Sequence, residues 1–258
     1  MQQYKKSGEI TVFLSLLFLV ICAFLGALLK SAKSSFVRNK IEATTDISIK
    51  SSFAEYNKML FEKYHLLFVD TTYKGVVDGG TECFKEHFTR YFDLNLSGEE
   101  NRSYGLSFMS ADVSDAVFAV ENMYEPVVIQ IQKYIHSADG AEQKISDKEA
   151  LINYVEDVIG VDKLTEYVLA SNKYSGYTSD VLYEAEDENQ YGYGEEFWFD
   201  KFCEAVSEDD LLEIIIDYIT DDMRESYGHY FDFSKHLYSA HIKVYVNSSD
   251  GKTYECTK

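Results

Sequence analysis

The sequence predicts an α+β protein: an N-terminal transmembrane helix continuing into a long amphipathic helix, then a small antiparallel sheet with several helices. Three observations predict it. The stretch ITVFLSLLFLVICAFLGALL, residues 10–29, holds no charge and no proline. As a helix it spans about 30 Å, the thickness of a bilayer's hydrocarbon core. From Gly26 to Gly75 no further Gly or Pro interrupts the chain, while the pattern changes from solid apolar to striped. Beyond that, apolar runs of helical period are mixed with short alternating runs bounded by turn residues, as a mixed domain requires.

The apolar stretch reads as an uncleaved anchor. A secretory signal has a shorter apolar core and small residues at its cleavage site, whereas this run has full span length and is followed by KSAKSSFVRNK. Residues 1–9 form a short basic tail, with Lys5 and Lys6 on one side of the span and Lys30, Lys33, Arg38 and Lys40 on the other. The charge balance across the span is nearly even and leans slightly toward the domain side. A short tail is easily retained while a long region is exported, so the expectation is a single-pass cell-membrane protein with its N-terminus cytoplasmic and its domain outside.

Residues 30–70 read as an amphipathic stalk helix. Ile41, Thr44, Ile47, Phe53, Met59 or Leu60, Tyr64 and Leu67 recur at helical spacings between polar residues, which gives one apolar stripe. Thr45, Asp46 and Ser51-Ser52 are poor helix formers and mark where this helix would kink or break. Residues 71–258 then form an acidic extracytoplasmic α+β domain with a helical insertion near 140–230. Its expected elements are a helix over 81–92 facing Phe84, Phe88 and Tyr91 inward and two short strands over 106–120 about Ser114-Asp115. A helix follows Pro126, where proline suits a first turn. Helices over 147–159 and 161–170 flank Gly160. Two more cover 195–206 and 207–220, the latter capped by Ser207. A strand over 237–246 turns through NSSDG into its return strand.

Net charge is −20, unevenly placed. Residues 1–40 carry six Lys/Arg against Glu9, leaving 18 cations and 43 acids in the rest, a charge of −25. Such a domain excludes nucleic-acid binding through phosphate contacts. Cys22, Cys83, Cys203 and Cys256 show no C-x-x-C, and no spacing selects a disulfide. The histidines at 65, 87, 136, 229, 236 and 241 fit no metal-ligand spacing, and there is no G-x-S-x-G or phosphate-cradling loop. The reading is of a non-enzyme without catalytic residues, cofactor or metal. The acidic clusters Glu184–Glu188 and Asp221-Asp222 lack the ladder of a calcium loop and read as solvated carboxylates. Trp198, Phe197 and Phe202, beside acids in GYGEEFWF, read as the cap of a small core rather than a sugar- or protein-binding surface.

Three stretches carry a family resemblance: residues 5–70 with the segment Ala43-Thr44-Thr45-Asp46, then FKEHFTRYFDLNL, then LSFMSADVSDAVFAVENMYEPVVIQIQKYI. Together, mainly over residues 5–136, they resemble the pilin-like membrane proteins of bacterial tight-adherence (Tad/Flp) pilus systems. The resemblance makes Gly8-Glu9 the candidate prepilin-type processing site, although the residue at Phe13 argues against cleavage there. The pattern departs from the family at Phe13, where an acid five positions after the glycine would pair with a neighbour's amine. It therefore implies an accessory or minor component of a Tad/Flp-type pilus or secretion assembly rather than the filament's building block. Expected partners are membrane lipid and other assembly proteins, met through span and stalk. Ala23, Gly26 and Ala27, at three- and four-residue spacing, are the candidate helix-packing patch. The readings from other classes are a membrane-anchored cell-surface binding or adhesion module and a regulator of an envelope enzyme.

Overall fold

Helix α1 (Tyr4–Phe53) runs unbroken for 50 residues, about 75 Å at the usual rise. The structure is a computed structural model and describes residues 4–73, 78–97, 105–139, 146–174, 176, 195–227 and 230–258. After α1 come α2 (Lys58–Tyr64), β1 (Val69–Asp70), α3 (Thr81–Leu96), β2 (Ser107–Phe118) and α4 (Glu121–Asp139). Then follow α5 (Asp147–Tyr154), α6 (Val161–Ala170), α7 (Glu195–Ala205), α8 (Glu208–Tyr227), β3 (His236–Asn247) and β4 (Thr253–Thr257). The four strands form one small antiparallel sheet in which β3 pairs with β1, β2 and β4. The fold is α+β, as the sequence predicts.

The chain divides into two units, and α1, α3, β2 and β3 each contribute to both. The first unit comprises Met1–Ser51, His87–Asp112 and Ile242–Lys258. Its buried α1 residues are Val37, Ile41, Thr44, Thr45 and Ser48, which recur every three or four positions on one helical face. This face is small and partly hydroxylic. Thr45 Oγ1 donates to Ile41 O at 2.8 Å and Ser48 Oγ to Thr44 O at 2.7 Å. Satisfied inside their own helix, these hydroxyls are buried without an orphaned polar group. Opposite strand segments of this unit, Lys243–Asn247 and Thr253–Thr257, form an antiparallel hairpin.

The second unit comprises Ser52–Glu86 and Val113–His241 and holds the largest core. Leu60 and Tyr64 of α2 join Val127, Ile131 and Ile135 of α4, Leu151 and Tyr154 of α5, and Leu211, Ile215 and Ile219 of α8. Two polar side chains lock the α2–β1 segment. Asn57 caps α2 by accepting from Leu60 N at 3.1 Å. Gln130 pairs with both backbone groups of Leu67, accepting at 2.6 Å and donating at 3.0 Å, as a neighbouring strand would.

Several expectations are corrected. The stalk helix does not reach residue 67 or 70 but ends at Phe53. Asn57 restarts helix for two turns, and His65, with φ +54°, closes it. No break occurs at Thr45-Asp46, where the Thr45 hydroxyl is buried and bonded to Ile41 O, but α1 does end at Phe53, just past Ser51-Ser52. Ile47 and Leu67 face outward, 52% and 48% exposed. On α3 the buried face is Phe84, Phe88, Phe92 and Leu96 rather than Tyr91. The two strands expected over 106–120 are one, since Asp115 takes φ +47° within β2 without ending it. The 147–159 helix holds, with its last turn, Val155–Ile159, widened to π geometry before Gly160 at φ +96°. The segment near 140–230 is no appendage: its described helices carry most of the larger core.

Candidate membrane-spanning helix and its flanks

No other described residue covers residues 10–29 of α1. Among the described residues this is the one helix long and apolar enough to cross a membrane. Fourteen large apolar side chains there are exposed, from Ile10 at 64% to Leu29 at 73%. At about 1.5–3 kcal/mol for each fully buried side chain, leaving them half in water forfeits on the order of 20 kcal/mol. That exceeds the roughly 5–15 kcal/mol by which a whole domain is stable. Lipid therefore suits this helix better than water does.

The sequence-predicted site residues all fall on α1. Gly8 and Glu9 lie in its opening turns. Ala23, Gly26 and Ala27 are exposed, and a Cβ built on Gly26 would meet nothing within 4 Å. Among the described residues the patch is uncovered, and at Gly26 it is sterically open. Past the span, Lys30, Lys33 and Arg38 are exposed. Farther along, Lys258 Nζ pairs with Asp46 at 3.3 Å.

Elsewhere the titratable groups are tied into the fold. Asp222 accepts from Tyr64 Oη at 2.6 Å and from Lys63 Nζ at 2.9 Å. Burial pushes its carboxyl upward, but the two hydrogen bonds outweigh that and hold it below the usual range. Asp221 accepts from Tyr167 Oη at 2.9 Å. One turn earlier, Asp217 accepts from Tyr174 Oη at 2.6 Å and pairs with Lys173. The phenols of Tyr64, Tyr167 and Tyr174 are raised well above their ordinary value, by burial first and then by these carboxylates.

This tyrosine–carboxylate ladder along α8 was missed in the sequence, where Asp221 and Asp222 read as solvated acids and Asp217 drew no reading. The signal was their one-turn spacing in a chain with 21 tyrosines. No group of three or more metal-ligating side chains occurs among the described residues. Glu184–Glu188 and His229 lie outside them.

The aromatic–acidic stretch is also structural where it is described. Trp198 and Phe202 stack at 5.0 Å with rings 9° from parallel, and both are buried. The side chain of Phe197 lies outside the described residues. The four cysteines are free, and burial pushes the Cys203 thiol up to about 12, so it offers no thiolate at neutral pH. No protein-family model, curated protein or solved structure matches this chain. One helix suited to crossing a membrane, joined to an α+β fold, is the class the structure defines.

Proposed function

We propose that the protein is an accessory or minor pilin-like component of a Tad/Flp-type pilus or secretion assembly, with its acidic domain outside the membrane. One observation carries the reading. Helix α1 is continuous from a bare apolar segment, residues 10–29, into a segment whose Val37–Ser48 face is buried against its own unit. A helix so divided anchors in lipid at one end and fixes a folded head at the other. The resemblance over residues 5–136 supports the same assignment. In lipid, helices associate by close packing and interhelical hydrogen bonds rather than by hydrophobicity. The open Ala23, Gly26 and Ala27 patch supplies a place for such packing.

Photocrosslinkers placed at Ala23 and Ala27 in the full chain test this reading in the native host. The expected outcome is capture of membrane proteins of a pilus or secretion assembly, weakened by Gly26→Leu, with insertion and expression unchanged. Crosslinks from the span to lipid alone, beside protein crosslinks from exposed sites on the acidic domain such as Asp209, would contradict it. A membrane-anchored surface-binding module would then be the function.

A further inference from the structure

In the first unit, β4 and α1 share a course. Arg38, Ile41 and Glu42 line one cavity with Tyr254, Glu255, Cys256 and Thr257. Above it, Asp46 meets Lys258. Below it, Ser248 first, by hydrogen bonding, and then the charges of Lys252 and Lys33 hold the Asp250 carboxyl below its usual range. Rising residue numbers on α1 thus match rising numbers along the hairpin's return strand. The hairpin tip accordingly lies at the level of Lys33.

That level is set by the span. Lys33 is four residues beyond Leu29, about 6 Å along the axis. The headgroup layer is roughly 5–8 Å deep on each side of the hydrocarbon core. Asp46, by contrast, stands about 25 Å beyond Leu29. The tip is also firmly built. Ser248 N donates to Lys252 O at 2.9 Å to close the turn, and Gly251 takes φ +76°. Gly105 packs so closely that a Cβ there would come within 2.5 Å of Ser249 Cβ.

We propose that the hairpin tip, Ser248–Gly251, with Lys30, Lys33 and Lys252, forms a membrane-facing surface that seats on anionic phospholipid headgroups. The inference rests on residues 10–29 crossing the membrane and goes beyond it by placing a second element on the lipid. Charge complementarity selects the occupant. At this level Lys252 pairs with Asp250 at 3.7 Å, which leaves the exposed Lys30 and Lys33 as the excess positive charge in a chain whose residues beyond 40 carry −25. Each cation near an anionic surface contributes about 1 kcal/mol, and the tip offers no large apolar side chain for deeper insertion.

The test is site-specific fluorescence quenching on the full chain in nanodiscs containing phosphatidylglycerol. An environment-sensitive label is placed in turn on native Cys22, on Ser249→Cys and on Thr257→Cys, with the other accessible thiols changed to serine. Quenchers are carried on lipid headgroups or on acyl chains. The label at Ser249→Cys should be quenched from the headgroup at least about twofold more than that at Thr257→Cys, and less so in Lys30→Gln/Lys33→Gln or in phosphatidylcholine alone. Equal quenching at the two sites, with Cys22 quenched from the acyl chains, overturns the seat while leaving the span intact. Absence of acyl-chain quenching at Cys22 overturns both.

Discussion

His236 sits 2% exposed with both ring nitrogens engaged. Its Nδ1 lies 2.8 Å from Asp232 O and its Nε2 3.0 Å from Asn57 Nδ2. A carbonyl only accepts and an amide nitrogen only donates, so the ring is neutral with its proton on Nδ1. Asn57 thereby does two jobs, supporting this ring and capping α2. Asn57→Ala removes a cap and leaves a buried acceptor unpaired, and should cost about 2–4 kcal/mol in chemical denaturation of the detergent-solubilised protein. A loss below about 0.5 kcal/mol, the range of an ordinary surface change, would show that the network is not maintained.

The same site sets a pH dependence. Burial depresses the His236 pKa, against the opposing pull of the Asp232 carbonyl and the Asp70 and Asp232 charges. A depressed folded pKa means that the unfolded chain binds more protons below its own value of about 6.5. The stability contribution is therefore complete above that value and declines as pH falls below it. Denaturation midpoints should drop between pH 7.5 and 5.5, and His236→Gln should flatten that drop. An identical slope in the variant would assign the dependence to other groups.

At the scale of elements, α1 is decided by which face is buried. Ser48 is fully buried, donates to Thr44 O, and receives Asn95 Nδ2 at 3.5 Å. Ser48→Leu overfills this contact and should destabilise by about 1–3 kcal/mol. Ile47→Ser, on the outward face, should stay within about 0.5 kcal/mol. Thermal melts of the two variants decide it, and the reverse order would restore the apolar stripe read from the sequence.

That reversal shows what the sequence could convey. Elements whose signal is local were legible: the Phe84 and Phe88 spacing on α3, Pro126 in α4's opening, and the NSSDG hairpin between β3 and β4. Ser207 was too, and it accepts from Asp210 N at 3.2 Å as a cap should. Elements set by distant contacts were not. Ala54 and Glu55 are good helix formers, yet α1 stops before them, where Asn57 N donates to Phe68 O at 2.8 Å and the Asn57 side chain turns to His236. Thr45, buried on α1, read as a break point because nothing in the sequence marks a hydroxyl whose hydrogen bond stays within its own helix. The long apolar helix was legible from composition alone, since an uncovered apolar run needs no tertiary context to be read.

For the whole molecule, the governing fact is the division of charge and hydropathy. A bare apolar helix with basic flanks precedes a domain of −25, and the two suit different media. So acidic a domain is repelled by anionic lipid. The central claim, a single span with the α+β domain outside, is tested most directly by thiol accessibility. In intact protoplasts, a membrane-impermeant maleimide should label Ser97→Cys, a variant at an exposed position just after α3, in a background with Cys22 and Cys83 changed to serine. Labelling only after lysis would place the domain in the cytoplasm and contradict the account.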